Sequence, residues 1–380
     1  MNDNSKVILD VNELGVEFSV EGEWIPAAKN LTYQIRAGEV LAIVGESGSG
    51  KSASSMALLG LTPQNGRVSG SVKLDGEELM TASAKRLRQI RGTGIAVIFQ
   101  EPMTALNPVY TIGFQIMETL QVHSNISNQA AKARAIELLT MVDLPDPAKA
   151  FDSYPHQLSG GQRQRAMIAQ AISCDPKLLI ADEPTTALDV TIQAEILDLL
   201  RNLQKRLNSA ILLITHDMGV VADLADRVLV MKDGVMVEQG TATEIYKKPT
   251  QNYTQELLKA VPSLGRGAAI AAKDASSAAT VLRLENVNIE YPKRGRVPAF
   301  LAAQGINLEI SRGEVLGLVG ESGSGKTTVG RAAVGLLPIK SGSLVVAGMD
   351  ITKIRNTELK TLRSKLGIVF QDPGSSLNPR

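Results

Sequence analysis

The chain has 380 residues, enough for two or three domains, each with its own core. With 40 basic and 39 acidic residues the formal net charge is +1, and aromatics make up 3%, so neither an electrostatic footprint for nucleic acid nor a base-stacking surface is expected. The single cysteine, Cys174, excludes an intrachain disulfide, a zinc cluster and an iron–sulfur centre, and suits a reducing cytosol.

The opening residues 1–11 have no basic segment followed by an apolar core, so they do not read as a signal peptide. The longest apolar runs, KLLIAD (177–182) and AILLIT (210–215), fall far short of the roughly 20 residues that cross a bilayer. A soluble chain is expected, one that works at a membrane only through a partner.

Along the chain, EVLAIVG (39–45) is a continuous apolar run of the kind buried parallel strands use. It leads into Gly45, Glu46, Ser47, Gly48, Ser49, Gly50, Lys51 and Ser52, which fit G-x-x-x-x-G-K-[ST], and the small-residue helix KSASSMALLGL follows. Strand, glycine loop and helix form the context in which this motif cradles phosphates. Glycines let the backbone wrap the phosphate chain, while loop amides and the helix N-terminus face the anion. Lys51 is expected to reach the β- and γ-phosphates, and the Ser52 hydroxyl to bind Mg²⁺. A glycine-rich turn that binds nothing is the competing reading, and a second copy of the loop in the same context argues against it.

Gln100 follows the strand IAVIF as a neutral group able to contact Mg²⁺ or a water, a weak signal by itself. From about Pro102 to Cys174 the chain reads as mostly helical and as a separate subdomain. His123 has no special setting and is read as surface, whereas His156 lies just before LSGGQ (158–162), where it can help position that loop. The strand KLLIAD ends in Asp182, followed by Glu183. Both carboxylates therefore emerge at the carboxyl edge of a sheet, where open α/β folds bind ligands. Asp182 is assigned to Mg²⁺ through water, and Glu183 to the attacking water, whose proton it accepts or which it polarises. An acidic pair that only caps a strand end is the alternative, disfavoured by the phosphate loop upstream. Residues 191–207 have helical periodicity, with Ile192, Ile196, Leu199, Leu200 and Leu203 on one face. His216 follows AILLIT and reaches the same edge, which favours a γ-phosphate contact over a structural or solvated histidine.

Residues 263–280 (SLGRGAAIAAKDASSAAT) are rich in Ala, Ser and Gly and read as a flexible linker, with a short Ala-rich helix as the alternative. The expected domains are therefore 1–262 and 281–380. The second repeats the first: SRGEVLGLVGESGSGKT (311–327) matches RAGEVLAIVGESGSGKS (36–52), and IEY ending at Tyr291 matches VEF ending at Phe18. The repeated loop is Gly320, Glu321, Ser322, Gly323, Ser324, Gly325, Lys326 and Thr327. LGIVFQDPGSSLNP (366–379) matches IAVIFQEPMTALNP (95–108), so Gln371 stands where Gln100 does; Thr327 and Gln371 take the metal-side assignments of Ser52 and Gln100. LSGGQ occurs once. The expectation is a tandem duplication with its second repeat cut short, either as a fragment of a longer protein or as a chain that pairs through its first copies.

Taken together, these motifs resemble the nucleotide-binding subunit of an ATP-binding cassette (ABC) transporter, over everything but the linker. The resemblance implies an α/β P-loop NTPase fold: a RecA-like parallel-sheet core, an antiparallel β subdomain and a helical subdomain, duplicated with the second copy incomplete. It implies an A-loop aromatic at Phe18 (Tyr291 in the repeat), Walker A at 45–52, a Q-loop at Gln100, and a signature at 158–162. It further implies Walker B ending at Asp182, a catalytic Glu183, a D-loop at Asp189 and a switch His216. Ser159, Gly160, Gly161 and Gln162 would face the γ-phosphate of ATP held by an opposite cassette. Family cassettes pair head to tail, so neither composite site is expected to close within this chain. FQEPMTALNPVYTIGFQI (99–116) and EIYKKPTQNYTQELLKAVPSL (244–264) are similar to the peptide/nickel class of importers, including those for peptides, glutathione or microcin-type peptides. The implied cofactors are ATP and Mg²⁺. The implied partners are two integral-membrane permease subunits and a solute-binding protein, with cassette dimerisation and no nucleic acid. The implied location is peripheral, on the cytoplasmic side of a bacterial inner membrane. Two alternatives stand beside this: a soluble twin-cassette ATPase acting on ribosomes, against which the short, nearly neutral linker argues, and a truncated non-catalytic module.

Overall fold

The computed structural model describes residues 6–186, 188–261, 279–293, 295, 298–321, 323–352 and 354–370. They divide into two units, Met1–Ser263 and Leu264–Arg380. In chain order the first unit has β1 (Val7–Val20), β2 (Glu23–Arg36), β3 (Val40–Val44), α1 (Lys51–Leu58), β4 (Gly66–Leu74), β5 (Glu77–Glu78), α2 (Ala84–Thr93) and β6 (Ile95–Ile98). Five helices follow: α3 (Pro102–Ala105), α4 (Ile112–His123), α5 (Asn128–Met141), α6 (Pro147–Asp152) and α7 (Gly160–Ala171). The unit continues with β7 (Leu178–Asp182), α8 (Val190–Leu207), β8 (Ala210–Thr215), α9 (Met218–Leu224), β9 (Arg227–Lys232), β10 (Val235–Thr241), α10 (Ala242–Lys247) and α11 (Asn252–Ala260).

A six-stranded sheet runs β10-β9-β3-β8-β7-β6, parallel except for the edge strand β10. β3, β7 and β8 are buried at every position, as strands covered on both faces must be. Their side chains alternate between two cores. Val40, Ala42 and Val44 pack with the helices, and Leu41 and Ile43 pack toward α1 and the antiparallel sheet β2-β1-β4-β5. Burial of this kind contributes about 1.5–3 kcal/mol per large apolar side chain. The register places Val44 opposite Thr215 and Asp182 opposite Ile214, so β3, β7 and β8 end at one level. The glycine loop, Glu183 and His216 all leave the sheet along that edge.

The second unit has β11 (Thr280–Tyr291), β12 (Phe300–Ser311), α12 (Lys326–Ala333), β13 (Ser341–Val346), β14 (Met349–Asp350) and α13 (Asn356–Arg363). An antiparallel sheet β12-β11-β13-β14 packs on α12 around Leu284, Val287, Ile289, Val329 and Leu344. β11 begins at Thr280, inside the span read as linker; residues 263–278 of that span lie outside the described residues. The structure departs from the repeat pattern at the counterparts of β6 and β3. LGIVF (366–370), which matches IAVIF, forms no strand, and Val369 is 98% exposed. EVLGLVG, the counterpart of β3, is not a strand, and Val315 and Val319 are 91% and 92% exposed. β3 is held by ladders to β8 and β9, drawn from residues 210–232. Among the described residues of the second unit no strand offers such a ladder, so the run stays exposed, where water rather than a neighbouring strand satisfies its amides.

Candidate active site

The phosphate-type loop starts where β3 ends. Its backbone approaches neighbours too closely for a side chain: a Cβ on Gly50 (φ 92°) would lie 1.9 Å from the Ala27 carbonyl oxygen, and one on Gly45 2.2 Å from that of Met231. Lys51 is buried beneath the loop and donates from Nζ to the carbonyls of Gly45 (2.8 Å) and Glu46 (2.7 Å) and to Ser49 Oγ (3.4 Å). Ser52 Oγ donates to Asp182 Oδ1 at 3.1 Å. Glu183 is the focus of the other contacts. Its Oε2 accepts from Gln100 Nε2 and from Thr186 Oγ1, both at 2.9 Å, and its Oε1 lies 3.0 Å from His216 Nδ1. The Glu183 backbone is left-handed, φ 47°, a conformation that costs a non-glycine residue about 1–3 kcal/mol and here turns the carboxylate into the cleft. Its N–H is satisfied by Ile214 O at 2.8 Å.

These groups line one cavity of about 800 Å³, formed by Gly45, Glu46, Ser47, Gly48, Gly50, Lys51, Ser52, Gln100, Glu183 and His216 together with Ala27, Ala53, Thr186 and Leu257. Burial pulls the Lys51 ammonium below its usual range, against the carboxylates of Glu183, Asp182 and Glu46. Burial likewise pushes Asp182 up; Glu183 adds to the rise, while Ser52 and Lys51 oppose it. A carboxyl raised in the fold binds its proton more tightly there than in the unfolded chain. It therefore costs stability above the raised value and costs nothing below the ordinary carboxylate range, about 4. Asp182→Asn should raise the melting temperature at pH 7, and the gain should vanish near pH 3. Melting curves at the two pH values check this.

Other sequence-expected residues are placed elsewhere. Ser159 caps α7, accepting from Gln162 N (3.3 Å), while Gln162 Oε1 accepts from Ser159 N (3.0 Å); with Gly160 and Gly161 they lie outside the cavity lining. Asp189 caps α8 through Ile192 N. Phe18 is half-buried against the antiparallel-sheet core, beside Gly66, and does not line the cavity. Ser49 is buried under the loop. In the second unit the loop has the same inner support: Lys326 Nζ donates to Gly320 O and Glu321 O, both at 2.6 Å, and Gly325 has φ 92°. Tyr291 OH is 3.3 Å from Thr328 Oγ1, in the first turn of α12, next to Thr327. Ser322 and Gln371 lie outside the described residues. The sequence reading missed Ala27, Ala53, Thr186 and Leu257. Thr186 falls just after the acidic pair at the end of β7, and Leu257 falls within the importer-like tail, but neither residue type carries a phosphate signal.

A family model described as ABC transporter matches residues 28–186 and 303–380. This chain belongs to the ABC transporter family. The glutathione import ATP-binding protein GsiA of Pectobacterium atrosepticum is 44% identical over 99% of the chain and 66% of its own length. GsiA of Escherichia coli O157:H7 is 43% identical over 98% of the chain and 65% of its own length. The chain thus spans about two thirds of the length of the curated relatives it matches. Among solved structures, the dimeric post-hydrolysis ATP-binding cassette MJ0796 with ADP and Pi is 29% identical, with a TM-score of 0.56 over 62% of this chain and 99% of that one. cbiO1 from Clostridium perfringens, part of the ABC transporter complex cbiONQ, is 30% identical, with a TM-score of 0.55 over 64% and 92%. The fold class and family read from the motifs hold: the first unit is an ATP-binding cassette with a parallel-sheet core, an antiparallel sheet and a helical region.

Proposed function

We propose that this chain is the ATP-binding and hydrolysing subunit of an ABC importer, driving uptake of glutathione or a similar short peptide through separate membrane permeases. The observation that carries the ATPase reading is the convergence of Gln100, Thr186 and His216 on Glu183, across one cavity from the Lys51 loop. The solute class rests on the similarity to glutathione import ATP-binding proteins along almost the whole chain.

The phosphates sit in the loop of residues 45–52, with Lys51 against the β- and γ-groups. The Ser52 hydroxyl and Asp182 carboxylate form an adjacent oxygen pair at 3.1 Å. Among the described residues no cluster of three or more His, Cys, Asp or Glu could make an all-protein metal cage. One hydroxyl and one carboxylate beside phosphate oxygens is the donor set that suits Mg²⁺, which keeps waters and substrate oxygens as ligands. Ser52 and Asp182, together with Gln100, would hold Mg²⁺, which would supply charge stabilisation to the phosphates. Glu183 orients the attacking water and takes its proton, while Gln100, Thr186 and His216 hold the carboxylate in place. The residues Ser159–Gln162 and Asp189 are left to face a second cassette, in a head-to-tail pair. No helix among the described residues is long and apolar enough to cross a membrane, so the path for solute is assigned to two permease subunits, with a solute-binding protein delivering it. The chain then works peripherally, on the cytoplasmic face.

Reconstitution with its permease pair in proteoliposomes, with the solute-binding protein on the outside, tests this. ATP inside should drive accumulation of labelled glutathione or dipeptide, and the chain should hydrolyse ATP. Hydrolysis without any peptide or glutathione uptake would remove the solute assignment. Absence of hydrolysis from the reconstituted complex would remove the enzyme.

A further inference from the structure

The cavity has a wall that the phosphate-loop motif does not predict. α11, the closing helix of the first unit, supplies Leu257 to the lining, and one turn earlier the Tyr253 hydroxyl accepts the N–H of Glu46 at 3.2 Å. Glu46 is the second residue of the phosphate loop, and its carbonyl is already held by Lys51 Nζ (2.7 Å) and by Ser49 N (3.2 Å). Its peptide groups are therefore fixed on both sides, from inside the loop by Lys51 and from outside by α11. Tyr253 is itself fixed. It is buried, and Lys232 at the end of β9 lies over its ring at 4.6 Å. The start of α11 is tied down by Glu238, which accepts from Thr250 N (2.7 Å), Thr250 Oγ1 (2.8 Å) and Gln251 N (3.3 Å). Burial raises the pKa of the Tyr253 hydroxyl above its ordinary value, and its oxygen accepts the Glu46 amide as a neutral phenol.

We propose that α11 is built into the nucleotide site and that Tyr253 is its positioning residue, holding the entry arm of the phosphate loop through the Glu46 N–H. This rests on the reading of the cavity as a nucleotide site. The PTQNYTQELLKAV tail then has a role in binding. Docking of α11 sets how well the loop is preorganised, and so how tightly the phosphates bind. A loop already held in its bound shape loses less freedom when the anion arrives.

The test uses the whole chain and Tyr253→Phe, which keeps the ring over Lys232 and deletes only the hydroxyl. Three quantities are measured: the Kd for Mg–AMP-PNP, amide hydrogen exchange at Glu46, and the melting temperature. The expected result is a Kd about fivefold weaker, the size of one net hydrogen bond, with Glu46 exchange faster by about tenfold and a melting temperature nearly unchanged. Leu257→Ala, which trims the cavity wall, should weaken the Kd while leaving Glu46 exchange as in the wild type. Tyr253→Phe with unchanged Kd overturns the inference, whatever Glu46 exchange does, because the bond would then serve only to anchor the helix. Should the variant melt much earlier, the Kd and the exchange are read at a temperature where it stays folded, and the Kd decides in the same way. A wild-type chain that binds no AMP-PNP sinks the nucleotide reading itself, a result distinct from a wild type that binds and a Tyr253→Phe variant that binds equally well.

Discussion

Glu183→Gln is expected to bind ATP as the wild type does and to hydrolyse it about 100- to 10,000-fold more slowly, the range that loss of a positioned general base costs. The geometry makes the reason specific. Gln100 Nε2, Thr186 Oγ1 and His216 surround the Glu183 carboxylate at 2.9–3.0 Å, and an ionised carboxylate can only accept. The group is thus held as an acceptor pointing into the cavity that the Lys51 loop also lines. Glutamine keeps the size and the left-handed turn at φ 47° but offers an amide that cannot take a proton from water. Binding should survive because Glu183 makes none of the loop contacts. A nucleotide-loaded chain that no longer turns over is the expected product, seen as retained ATP after desalting. His216→Ala removes one of the three contacts to the carboxylate and should slow hydrolysis by a smaller factor, on the order of tenfold. If Glu183→Gln keeps turnover within a few fold of the wild type, the water is activated elsewhere and the assignment falls.

What the sequence made legible, and what it did not, divides along a physical line. Local chemistry was readable. EVLAIVG, KLLIAD and AILLIT are apolar along almost their whole length and became β3, β7 and β8, each buried at every position. Strand-loop-helix punctuation around Gly45–Ser52 fixed the loop, and residues just after strand ends converged because parallel strands in register end together. Features that depend on register or on distant ladders were not readable. Phe18 sits near the end of β1, but the face it presents depends on register shifts at Val11/Leu14, Leu14/Val16 and Val16/Glu17. A one-residue slip turns a side chain to the other face, and no local pattern reports it. Val315–Val319 repeat the β3 pattern almost residue for residue, yet stay exposed where no partner strands lie among the described residues. Periodicity states what a strand would bury, and the ladder decides whether the strand exists. Leu257 reaches the cavity, and Tyr253 the Glu46 N–H of the loop, from about two hundred residues further along the chain, so they showed only as part of a tail resembling one transporter class.

Lys51→Ala is expected to weaken ATP binding by about 100-fold, because bonds to charged groups carry roughly 1.5–3 kcal/mol each and 1.4 kcal/mol is a factor of ten. The buried ammonium is held by neutral oxygens alone, the carbonyls of Gly45 and Glu46 and the hydroxyl of Ser49. Burial already disfavours its charge, and the carboxylates of Glu183, Asp182 and Glu46 only partly offset that. Phosphate oxygens entering the cavity bring the negative charge this ammonium lacks at close range. The attraction is therefore realised on binding, whereas the cost of burying the charge is borne by the empty fold. Two consequences follow, and they point in opposite directions. Affinity falls steeply in Lys51→Ala, while the melting temperature without nucleotide should hold or rise. Lys51→Arg sharpens the test. It keeps the positive charge, but a planar guanidinium cannot direct bonds at three oxygens gathered around one ammonium, so its affinity should drop nearly as far. Calorimetric titration of the three proteins with AMP-PNP, beside their melting curves, reads both effects. An arginine variant that binds as tightly as the wild type would show that general positive charge suffices and that the convergent bonds of Lys51 do not set the affinity. An alanine variant that melts far below the wild type would show that the lysine serves first to hold the empty loop.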